Sequence, residues 1–140
     1  MPAWAWAALL SAMFAAATAI LAKIGIEGVN SNVATAIRTL VILVFAWGIV
    51  AAQGHLGDLA SLSRRTWLFL MLSGISTGFS WLFYFYAIKI GPVARVATID
   101  KLSLAITIVL SIVVLKEQAT PQVFIGAVMM IAGAFLASVR

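Results

Sequence analysis

The residues best placed to do chemistry lie between Arg95 and Ser111. Asp100, Ser103, Thr107 and Ser111 recur at i, i+3, i+7 and i+11, which on a helix is a stripe ~80° wide. An aspartate can carry a proton or neutralise a base, and hydroxyls three and four residues apart can pass hydrogen bonds along one face. Arg95 and Lys101 flank the acid, with Lys101 turned ~100° from Asp100, so these two neighbours need not pair. Hydroxyls alone on a helix more commonly glue it to another helix. A stripe that starts on an acid within an apolar run reads instead as a polar pathway. Two further groups qualify: Arg38 in the second apolar stretch, and Thr77, Ser80 and Tyr84, which follow Ser73 along one face of the third.

The setting makes these residues unusual. Gly91-Pro92 opens the stretch that carries Asp100, and proline suits the first turn of a helix, where its missing N–H is not needed. Asp100 then lies ~12 Å beyond that start. In a membrane whose hydrocarbon core is ~30 Å thick, that is deep. A charge there is unfavourable by roughly 2.5–3.5 kcal/mol on the insertion scale. Either a partner compensates it or function requires it.

Composition supports the membrane setting. Of 140 residues, 64% are hydrophobic and 9% are charged, against about 25% charged in a soluble domain. The formal net charge of +5 would suggest nucleic acid in a soluble protein. Here the bases stand singly or in one pair, mostly at segment ends, so they read as membrane-edge anchors and no nucleic-acid partner is expected. There is no cysteine and a single histidine, His55, in a polar loop; no metal site and no cofactor are expected. An enzyme is not expected either. Aspartyl chemistry needs two buried carboxylates, serine chemistry needs a base, and only Asp100 is placed in an apolar segment.

The fold expected is all-α and integral to the membrane: a bundle of five transmembrane helices forming one domain over residues 1–140. The helices fall at about 3–22, 33–52, 67–88, 92–115 and 121–139. The first is uncharged from Pro2 to Ala22 and has no basic stretch before it, so it reads as a retained helix, not a cleaved leader. Asn30, Ser31 and Asn32 are all candidate caps for the second. Thr120-Pro121 begins the fifth. Gly74 with Gly78, and Gly126 with Gly133 and Ala137, form small-residue faces suited to close packing.

With five crossings, Arg38, Tyr84, Arg95, Asp100 and Lys101 share one half of the bilayer, as a lopsided polar vestibule. Lysine and arginine are nearly balanced between the two sides. One side has the N-terminal amine, Arg64, Arg65 and Lys116; the other has Lys23, Lys89 and Arg140. That balance fits a chain inserting in both orientations.

Several segments together resemble a single EamA-type domain of the drug/metabolite transporter superfamily, over nearly the whole chain. They are Tyr86-Ala87-Ile88-Lys89-Ile90-Gly91-Pro92-Val93-Ala94, Leu115-Lys116-Glu117, Ile125-Gly126-Ala127 and Ile131-Ala132-Gly133. Arg38 matches an arginine usual in that family's second helix, and Asp100-Lys101-Leu102-Ser103 is similar to a variant of its short members. The resemblance implies one half of an inverted-repeat architecture and export or exchange of small metabolites or drugs across a bacterial inner membrane. Related four-helix multidrug exporters carry a glutamate in their first helix; this first helix has no acid, so that antiport mechanism is not implied. The expectation is a secondary transporter of an amino-acid-like, anionic or zwitterionic solute, acting as an antiparallel homodimer in a lipid membrane. Its alternative is a non-transporting membrane subunit that stabilises or positions a partner protein.

Overall fold

The computed structural model describes residues 2–138, and every regular element in them is helical. Six α-helices follow one another: α1 (Ala3–Gly25), α2 (Ser31–Ala52), α3 (Arg64–Ile90), α4 (Val93–Asp100), α5 (Leu102–Val114) and α6 (Pro121–Ser138), with a 3-10 helix at His55–Ser61. Ala3–Gly25, Ser31–Ala52, Arg64–Ile90 and the combined stretch Val93–Val114 are each long and apolar enough to cross a membrane. At ~1.5 Å per residue, 22 residues span ~33 Å, enough for a core of ~30 Å. α6 is apolar but shorter. The expected end of that helix at Val139 lies outside the described residues.

Local chemistry explains where the helices start. Asn30, one of three candidate caps, takes the position: its Oδ1 accepts from the Asn32 N–H at 2.8 Å, and α2 begins at Ser31, two residues before expectation. Ser63 does the same for α3, accepting from the Thr66 N–H at 3.1 Å. That cap moves the start from the expected Trp67 back to Arg64. α1 outlasts its expected end at 22 because Lys23 can stay helical. Its Nζ donates to the Ile88 carbonyl at 2.6 Å, near the C-terminal end of α3, where exposed carbonyls favour a cation.

The loop expected after α2 holds a turn and a short helix. Gly54 takes φ +75°, reversing the chain, and His55–Ser61 winds as a 3-10 helix in which Ser61 Oγ donates to the Asp58 carbonyl. Left-handed backbone disfavours a side chain by roughly 1–2 kcal/mol. Gly54→Ala should therefore lower the thermal midpoint in detergent by several degrees. Gly57→Ala, at a glycine with ordinary backbone and open space around it, should leave it within about a degree. Equal midpoints for the two variants would count against the turn being structural.

The fourth expected helix, continuous over 92–115, is not continuous. It is interrupted at Lys101, between Asp100 and Ser103. There the backbone ladder tightens: Lys101 N–H bonds to Thr98 O at 3.2 Å and Leu104 N–H to Lys101 O at 3.0 Å. The Thr98 hydroxyl also donates to Ala94 O at 2.6 Å, a side-chain bond that competes with the α-helical ladder and bends helices. The segment closes at Lys116, whose φ of 58° turns the chain so that Glu117 N–H reaches back to Ser111 O.

The described residues form two compact units. One contains those up to Ile20 together with those from Ile90 onward; the other is Leu21–Lys89. In the first, α4 and α5 both pack on α6, where Ala134 is buried. In the second, α2 meets the 3-10 helix, and Ala22, Ile26, Ser31, Thr35, Phe85 and Ile88 are buried. Thr35 is satisfied inside its own helix, donating to Ser31 O at 2.9 Å. Most other large apolar side chains, such as Leu40, Phe45, Phe69, Phe83 and Leu136, face outward. That would be untenable in water and is ordinary against lipid tails.

Candidate functional site

In the second unit the site is built on Arg38, two turns inside α2 once Asn30 has set the helix start. Its guanidinium carbon lies 4.3 Å from the Phe85 ring centroid and 5.3 Å from that of Trp81. Trp81 and Phe85 are one turn apart on α3, so their rings fall on the same face. Phe85 is almost fully buried, and Tyr84 meets it edge-on, centroids 5.8 Å apart at 83°. A cation this close to the rings is stabilised by roughly 0.5–2 kcal/mol, more as water is excluded. One guanidinium nitrogen, Nη1, is buried and finds no hydrogen-bond partner among the described residues.

Of the other expected residues on α3, Thr77 and Ser80 are exposed. Thr77 donates to Ser73 O in its own helix at 2.9 Å. Trp81 and Phe85 were not among the expected site residues. Their i, i+4 spacing was visible in sequence, but aromatic residues near helix ends read as interfacial belts.

In the first unit the acid has a partner. Lys101 Nζ stands 3.8 Å from Asp100 Oδ2, so the expectation that these neighbours need not pair is replaced by a loose ion pair. Their side chains are 54% and 40% exposed, respectively, within the described chain, so any deeper enclosure must come from outside these contacts. Arg95, Ser103 and Thr107 are exposed, while Ser111 is half-buried and donates to Ile108 O at 3.0 Å. The break at Lys101 separates Asp100 from the hydroxyls of α5, so the expected stripe is carried by two helices instead of one. Arg38 and Asp100 belong to different units.

Long apolar helices that carry isolated charges well inside them define a multi-pass membrane protein. The chain belongs to the EamA-like transporter family, whose model matches residues 2–139. It is also similar to a protein of Sinorhizobium sp described as an uncharacterized transporter in the cobO 3′ region, 47% identical over 136 residues that cover 97% of this chain and 96% of that protein. No solved structure matches it.

Proposed function

We propose that the protein is a secondary transporter of a small anionic or zwitterionic metabolite, amino-acid-like in chemistry, in the bacterial inner membrane. The observation that carries the proposal is the set of charges inside the apolar helices of a transporter-family chain. These are Arg38 in α2, and Arg95, Lys101 and the single acid Asp100 in the stretch Val93–Val114. An excess of fixed positive charge in a low-dielectric setting attracts solutes with a carboxylate and repels cations. Asp100, held loosely by Lys101, acts as a proton carrier or as the partner released when solute arrives.

In this reading α6 makes the fifth crossing, residues 1–140 form one domain, and the working unit is an antiparallel homodimer. Transporters commonly pair inverted repeats around a site near the midplane, with interrupted helices lining it. The interruption at Lys101 fits that use. No catalytic step is assigned. The test is direct: purified protein is reconstituted in liposomes loaded with mixed amino acids and organic acids, and loss of each solute is followed by mass spectrometry. Selective loss of carboxylate-bearing solutes is expected; release of cationic drugs alone would reject the charge argument.

A second reading, a non-transporting subunit, draws on one observation. A Cβ at Gly74, Gly78, Gly126 or Gly133 would meet no other part of the described residues within 4 Å, so the expected close packing at these glycines is not met among them. They are available to another helix, from a second copy or from a different protein. Solute flux by the purified chain alone separates the two readings.

A further inference from the structure

Arg38 carries a donor that the described residues leave unused. A guanidinium keeps its charge in proteins and presents five N–H groups in one plane. The rings of Phe85 and Trp81, at 4.3 and 5.3 Å, attract the charge. Nη1 is buried without an acceptor among the described residues, and a buried charged donor left without a partner is more unfavourable than a neutral one. The aromatic pair therefore holds the charge while Nη1 still has hydrogens to donate. Arg38 is half-buried as a residue, so the fork is reachable with a small swing of the side chain.

We propose that the Nη1 edge of Arg38 is an oxyanion site that takes the carboxylate of a soluble ligand, with Trp81 and Phe85 as positioning residues that hold the guanidinium. A carboxylate matches the fork with two parallel hydrogen bonds, which a point charge cannot reproduce. The same chemistry is offered by a lipid phosphate, and the experiment separates the two sources. That this site receives the transported solute rests on the transporter reading above; that it binds carboxylate does not.

The full chain is purified into phosphatidylcholine nanodiscs, and its unfolding midpoint and tryptophan emission are followed with sodium benzoate, with neutral benzamide, and with sodium chloride at matched ionic strength. Benzoate is expected to raise the midpoint by about 3 °C or more at saturation and to change the emission; benzamide and chloride are expected to do neither. Arg38→Lys keeps the charge without the fork and should lose the midpoint shift, as should Arg38→Gln. Arg65→Gln, removing an exposed arginine 5.8 Å from the Phe69 ring, should keep it. Trp81→Phe should keep the midpoint shift and lose most of the emission change.

Four results would each overturn the proposal. They are an equal shift with chloride or benzamide, a full shift in Arg38→Lys, and protection seen only when phosphatidylglycerol is added. The fourth is a wild-type chain whose midpoint ignores benzoate. Binding is read here without flux. A chain that binds benzoate yet moves no solute loses the transport reading and keeps the site, and one that moves solute with no benzoate effect does the reverse.

Discussion

Asp100→Asn is expected to reduce solute flux in proteoliposomes at least about tenfold at matched protein amounts, a barrier change of about 1.4 kcal/mol. Glu117→Gln should leave flux within about twofold. The two acids differ in setting. Asp100 ends α4, at the interruption of a stretch long enough to cross the membrane, with Lys101 Nζ 3.8 Å away. Glu117 lies beyond α5, exposed in the connection to α6. An amide at position 100 can neither carry a proton nor balance Lys101, so the lysine would sit uncompensated in an apolar stretch, which is the unfavourable case for a charge pair. Lys101→Gln separates the two roles. If Asp100 serves only to neutralise Lys101, the double variant should recover much of the lost flux; if it carries a proton or meets the solute, the double variant stays inactive. Unchanged flux in Asp100→Asn would remove this residue from the transport path.

The helical class and the positions of the long apolar elements were legible because composition and run length decide them with little competition. Helix starts were less so. Asn30 stood beside two equally suitable neighbours, and only its extended backbone, φ −65° and ψ 130°, selects it. Ser63 was hidden inside a polar connection, where a serine more often marks a loop. The interruption at Lys101 was not legible by apolar periodicity, which runs through it unbroken; it arises from hydrogen bonds at Thr98 and Leu104 that compete with the helix ladder. The same limit applies to the site. Arg38 could be picked out as a charge in an apolar run. That Phe85 and Trp81 stand beside it depends on how α2 and α3 are rotated about their axes, and that rotation is a property of packing which neither helix encodes alone.

Reporter fusions at the C-terminus, one active in the cytoplasm and one active outside it, should both give signal from the unmodified chain. The reason lies in the placement of charge. Orientation follows the excess of lysine and arginine near the helix ends, and here the excess is small. Arg64 and Arg65 occupy the first turn of α3, exposed, and Lys116 follows α5. Lys23 and Lys89 occupy the last turns of α1 and α3. With the five crossings proposed above, the first three share a side with the N-terminal amine, and Lys23 and Lys89 share the other with the C-terminus. Removing Arg64 and Arg65 together should leave the N-terminal amine and Lys116 against Lys23, Lys89 and Arg140, shifting the C-terminus to the cytoplasmic side in most of the chains, with the outside reporter falling several-fold. Adding a lysine beside Arg65 should shift the balance the other way. Two opposite orientations would let one sequence supply both halves of an inverted pair and give a vestibule to each membrane face. Signal from only one reporter in the unmodified chain would exclude dual insertion, and the antiparallel homodimer with it, leaving a parallel assembly or a differently oriented partner chain to complete the enclosure.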